Sequence, residues 1–168
     1  MNMNPTLFFT CGLPGSGKSL LASRVVKHLG GVYVSRDATR GWFGSYEVRK
    51  ESHVVEICKN TVQAHLANSR DVVYDSAGVD AQSRMRVLWW AKELYARNTV
   101  SKEVDVVCLY TPVSLEESIA RRPRTVKEED IILMNNKLVV PTEAEGFRIV
   151  TVGYAQQPDL FELLKVKA

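Results

Sequence analysis

Cysteine is scarce in this chain, and its placement excludes more than its number does. Three residues (Cys11, Cys58, Cys108) stand singly in apolar surroundings with no C-x-x-C pair. That reads as buried thiols in a reducing compartment, not as a disulfide frame or a zinc site. No apolar run approaches the ~18 residues a membrane span needs. The opening Met1-Asn2-Met3-Asn4-Pro5 lacks the basic region of a secretory signal, so the expected location is cytoplasmic, with no membrane partner. Histidine is rare too. His28, His53 and His65 lie on separate helical stretches without the convergent spacing of a metal cluster. The net charge of +3 is too mild to name a partner by itself. Repeats, low-complexity tracts and linkers are all missing, so the 168 residues read as one domain, 1–168, and 45% apolar content is enough for an ordinary core.

What the chain does have is Gly12-Leu13-Pro14-Gly15-Ser16-Gly17-Lys18-Ser19, followed by Leu20. This is the G-x-x-x-x-G-K-S phosphate-binding loop. Its glycines let successive N–H groups converge on one anion, and the helix behind adds its own open N–H groups. Lys18 is placed to reach the outer phosphates of ATP or GTP, and the Ser19 hydroxyl to hold Mg²⁺. The flanks fit. Leu7 to Cys11 is an apolar strand, and Leu21, Ala22, Val25, Val26 and Leu29 recur at helical spacing up to Gly30-Gly31.

Further strands are expected at Val32–Ser35, Val72–Asp75, Val104–Tyr110 and Phe147–Val152. Between them lie a helix from about Tyr46 to Asn68 with Ser45 as cap, and one capped by Asp80. Ser114 opens a short helix, and a Thr125/Glu128 capping box opens another running to about Lys137. Trp89 and Trp90 read as packing residues. A short final helix is expected around Leu160, Phe161, Leu163 and Leu164. Strand and helix alternation predicts an α/β fold with a mainly parallel five-stranded sheet.

Ligands in such sheets bind outside the carboxyl ends of the strands. That rule gathers the phosphate loop, Asp37, Arg40, Asp75 and the arm Arg121-Arg122-Pro123-Arg124 on one rim. Asp37 fits as acceptor of a hydroxyl proton; the alternative is a loop cap. Arg40, three residues on, fits as a bidentate grip on an acceptor phosphate, or else pairs with Asp37. Pro123 bends the arm into a lid over about 121–140. Arg121 and Arg124 are its candidate transition-state cations, Arg122 can replace either, and a solvated basic face is the alternative. Arg36, Arg40, Arg49, Lys50, Arg84, Arg86 and Lys127 are expected on this rim or near it, with acids concentrated elsewhere, which favours a polyanionic acceptor.

The motifs G-L-P-G-S-G-K-S at 12–19, S-R-D-A-T-R at 35–40, V-V-Y-D at 72–75, R-R-P-R-T-V at 121–126 and P-T-E-A-E-G-F at 141–147 resemble the kinase domain of polynucleotide 5′-kinases, in the P-loop kinase group. The resemblance implies a three-layer P-loop kinase-like sandwich with a helical lid. It implies transfer of the γ-phosphate of ATP or GTP, with Mg²⁺, to the 5′-OH end of RNA or DNA. Lys18 and Ser19 would bind donor phosphates and metal, Asp37 would be the general base, Arg40 would hold the acceptor phosphate, Asp75 would support the acceptor, and Arg121 and Arg124 would engage the donor. Oligomeric state is left open, a homo-oligomer included, and the chain leaves no room for the phosphatase or ligase domain often attached in that family. The rival readings are a small-molecule kinase and a GTPase-type switch. The switch is suggested by Asp75-Ser76-Ala77-Gly78 and by Asn136-Lys137, and is opposed by Val139, which cannot pair with guanine. A motor ATPase is weaker still, because no strand ends in Asp-Glu.

Overall fold

A computed structural model describes residues 4–44, 51–154, 159 and 164. Five parallel strands form one sheet: β1 Thr6–Cys11, β2 Val32–Ser35, β3 Val72–Asp75, β4 Asp105–Tyr110 and β5 Arg148–Thr151, in the order β2-β3-β1-β4-β5. β1 and β3 are buried at every position, as expected of strands covered on both faces.

Alternation along β1 divides the core into two layers. Leu7, Phe9 and Cys11 face α3 (Glu51–Ala67) and α4 (Ala81–Ala96), while Phe8 faces α1 (Lys18–Leu29). With the sheet between them, these helices make three layers. Phe9 meets Phe147 edge-on, with ring centroids 5.1 Å apart. Leu164 packs from the tail against the α1 layer; the remaining residues expected to form a final helix lie outside the described ones. The same holds for Ser45, Arg49 and Lys50, so the described part of the second long helix begins at Glu51.

Three local expectations need correction. α6 (Glu128–Lys137) starts at Lys127 without any side-chain cap, so the Thr125 capping box does not form. Trp90 is buried against Tyr74, but Trp89 is 61% exposed and packs into no core. Arg84 is not a rim cation. It is fully buried, bonds Glu145 through Nε and Nη2 (2.9 and 2.8 Å), and donates Nη1 to the carbonyls of Gly78, Val79 and Val139. A buried guanidinium requires this full set of acceptors. It ties the start of α4 to the turn at Glu143–Glu145, which lies within the P-T-E-A-E-G-F segment. Asp80 does cap α4 as expected, accepting from Ser83 N at 2.7 Å.

Candidate active site

The phosphate loop leaves β1 and turns back under tight constraint. A Cβ at Gly12 would stand 2.4 Å from Thr111 Oγ1 and 2.8 Å from the Thr111 carbonyl, and one at Gly15 would stand 3.0 Å from the Arg121 backbone. Glycine is needed there because neighbouring backbone fills the space. Three hydroxyls brace the loop from behind. Ser118, wholly buried on α5 (Leu115–Arg121), donates to the Pro14 carbonyl at 2.6 Å. The Ser16 and Thr111 hydroxyls share a 2.7 Å bond, and Thr111 donates to the Cys11 carbonyl at 3.3 Å. At the other end, Gly17 begins α1 with no side-chain cap and no acid in the first turn. The open N–H groups and positive dipole end are thus left for an anion.

Lys18 stands at the start of that helix. Burial pushes its ammonium below the ordinary lysine value, against the pull of the Asp75 and Asp37 carboxylates. Asp75 is buried at the end of β3 and accepts from Thr10 Oγ1 (3.0 Å) and Tyr33 OH (2.6 Å). Burial and that bond to Asp75 raise the Tyr33 phenol above its usual value. Asp75 is therefore fixed in place by two strands, and it cannot swing toward a ligand without breaking both bonds.

Across the cleft, Ser35 caps the short helix α2 (Arg36–Gly41), which follows β2 directly. Asp37 is 84% exposed and lies in the same cleft as Lys18, Ser19 and Arg121. Arg40 reaches Asp37 through Nη1 and also gives Nε and Nη2 to Glu51, both at 2.9 Å. Glu51 takes a further bond from Arg36 Nε at 2.7 Å. The Arg40 hydrogen bonds, then the Arg36 charge, hold the Glu51 carboxyl down at about 2, and the bonds to Glu51 and then Asp37 lift the Arg40 guanidinium above its ordinary value.

The arm is bent as the proline predicts: α5 ends at Arg121 and α6 begins at Glu128. Arg121 lines the cleft, donates to Glu117 at 3.0 Å and lies 3.7 Å over the Tyr154 ring. Arg124 does not line it. With Arg122, it borders a separate shallow surface behind the arm. Of the residues expected together, the structure brings Pro14, Gly15, Gly17, Lys18, Ser19, Leu20, Asp37, Arg40, Asp75 and Arg121 to one cleft of about 910 Å³.

Six basic and four acidic side chains line this cleft, Glu51 and Asp130 among the acids. The expectation of a basic rim with acids elsewhere is therefore too strong. Arg84 is interior, Arg86 sits on the outer face of α4 beside Met85 and Trp89, and Arg36 and Arg40 share a counter-ion. Residue reading missed Glu51, Ser118, Thr111 and Tyr154. Thr111 and Tyr154 had a usable signal, since they follow the fourth and fifth strands onto the same rim.

A family model described as an AAA domain matches residues 7–140. The chain belongs to that AAA domain family. It has the P-loop kinase fold. Among solved structures, it is similar to a putative kinase from Chloroflexus aurantiacus J-10-fl, with 16% identity over 97% of this chain and 96% of that one and a TM-score of 0.71. It is similar to the Mycobacterium tuberculosis APS kinase CysC solved with AMPPNP and APS, with 14% identity over 96% and 98% and a TM-score of 0.68. It is also similar to a chain of the Pnkp1/Rnl/Hen1 complex, with 24% identity and a TM-score of 0.56, over 73% of this chain but only 40% of that one. In this family member, no described helix is long and apolar enough to cross a membrane.

Proposed function

We propose that this protein is a phosphotransferase that moves the γ-phosphate of ATP or GTP to a hydroxyl, and that its acceptor is the 5′-OH end of RNA or DNA. The observation that supports it is one cleft holding the phosphate loop, an exposed carboxylate and a guanidinium pair: Lys18, Asp37, Arg36 and Arg40.

The cradle fits a nucleotide's phosphates, because glycine lets the loop bend back against Thr111 and Arg121 and α1 presents its uncapped end. Among the described residues no trio of His, Cys, Asp or Glu could hold a metal alone. Mg²⁺ would therefore rest on Ser19 and the donor's own oxygens, with Asp75 behind. Bound there, it supplies positive charge to the donor phosphates.

In the transfer, the acceptor oxygen bonds to the γ-phosphorus and the bridge from the γ-phosphorus to the β-phosphate oxygen breaks, releasing the nucleoside diphosphate. The hydroxyl proton passes to Asp37. A carboxylate with a reference pKa of about 3.9 is a weak base, and a loose transition state that gives up the proton late needs no stronger one. Lys18 and Arg121 balance charge on the donor side, Arg40 grips the acceptor phosphate, and Arg124 would need the arm to move before it could act.

The small-molecule reading keeps one observation in its favour: Glu51 neutralises much of the charge that would attract a polyanion. Labelled-phosphate transfer to 5′-OH RNA and DNA oligomers, nucleosides and sugars separates the two. Oligomers as the preferred acceptors support the proposal. Transfer confined to free nucleosides or sugars refutes the polynucleotide assignment, and NTP hydrolysis without transfer refutes both.

A further inference from the structure

Arg36 and Arg40 come from one helix, and the acid between them comes from another. Arg40 presents Nε and Nη2 to the two oxygens of Glu51 at 2.9 Å each, and Arg36 Nε reaches Oε1 at 2.7 Å. The side chains are 26%, 18% and 34% exposed for Arg36, Arg40 and Glu51, and all three border the cleft beside Asp37. A carboxylate held side-on by a guanidinium has the shape and charge arrangement in which a phosphate is held. Glu51 is carried on α3 and not on α2, so it can turn away without unwinding α2.

We propose that Glu51 is a resident substitute for a phosphate, one that an acceptor displaces when it carries a phosphate close to its reactive hydroxyl. This rests on the phosphotransferase reading of the cleft and narrows its acceptor to hydroxyl compounds that also bear a phosphate. The exchange never leaves Arg36 or Arg40 without a counter-anion, which avoids the penalty of a stranded partly buried charge. It also reaches the base. Asp37 is bonded to Arg40, so a phosphate that draws Arg40 away releases the carboxylate to the hydroxyl. An acceptor lacking the phosphate leaves both acids tied and turns over slowly.

The test is Glu51→Gln, with the nucleotide site saturated by MgADP so that added anions read the acceptor side. Adenosine 3′-phosphate, adenosine and inorganic phosphate are titrated by calorimetry. Adenosine 3′-phosphate should bind about tenfold more tightly to Glu51→Gln than to the parent, about the effect of removing one competing charge, and adenosine equally to both. Unchanged or weaker binding of adenosine 3′-phosphate and of inorganic phosphate would overturn the proposal and make Glu51 an orienting residue for the arginines. Tighter inorganic phosphate with neither nucleoside bound would keep the exchange and refute the polynucleotide reading. Glu51→Asp, a shorter carboxylate, should shift affinity the same way by less and serves if the amide variant does not fold.

Discussion

The two walls of the cleft are built of different material. The phosphate-loop wall is backbone, closed from behind by Ser118, Thr111 and Ser16, with Gly12 pressed against Thr111. The facing wall is side-chain charge, with Arg36, Arg40, Asp37 and Glu51 sharing bonds at partial exposure. A backbone site is set by close packing and tolerates little change. A charge site depends on partly exposed side-chain partners and can rearrange. The first suits a donor whose phosphates never vary, and the second suits acceptors that must be told apart.

Substitutions sharpen that contrast. Gly12→Ala should have the largest effect, because its methyl meets the Thr111 carbonyl and cannot be accommodated by a rotamer change. We expect at least ~100-fold weaker nucleotide binding, comparable to losing a preorganised donor group. Fluorescent-nucleotide titration reads it, and near-normal affinity would break the claim that backbone shape makes this wall. Arg84→Met removes the guanidinium bonds to three carbonyls and leaves Glu145 without its counter-ion, and should cost about 3–5 kcal/mol in urea unfolding. Ser118→Ala removes a single buried hydroxyl bond. It should cost about 1 kcal/mol of stability and raise the donor KM several-fold while leaving the acceptor KM alone.

The smallest effect is a pH dependence on the charge wall. Glu51 sits at about 2 in the fold, below the ordinary carboxylate range, so its stabilisation is complete above about pH 4.5 and fades as pH falls toward 2. The Tm gap between the parent and Glu51→Gln should close over that window. A gap that stays constant would mean the pairing adds no stability.

Much of this was legible in the residues. Strand alternation and the carboxyl-end rule predicted the order of elements and put Lys18, Asp37, Arg40, Asp75 and Arg121 on one rim, because those inferences use local patterns and sheet geometry. Partnership was not legible. Nothing near Glu51 announces Arg40, eleven residues earlier, and Arg84 looks like a surface cation until Glu145 and three carbonyls enclose it. Arg121 and Arg124 are equivalent in sequence, and only the break of the helix after Arg121 sends them to different surfaces.

The central claim is that Asp37 serves the acceptor hydroxyl and not the nucleotide. Asp37→Asn, assayed for labelled-phosphate transfer alongside equilibrium ATP affinity, tests it most directly. The account predicts transfer lowered by ~10²–10⁴-fold with ATP affinity nearly unchanged. Transfer and ATP affinity falling together would contradict it.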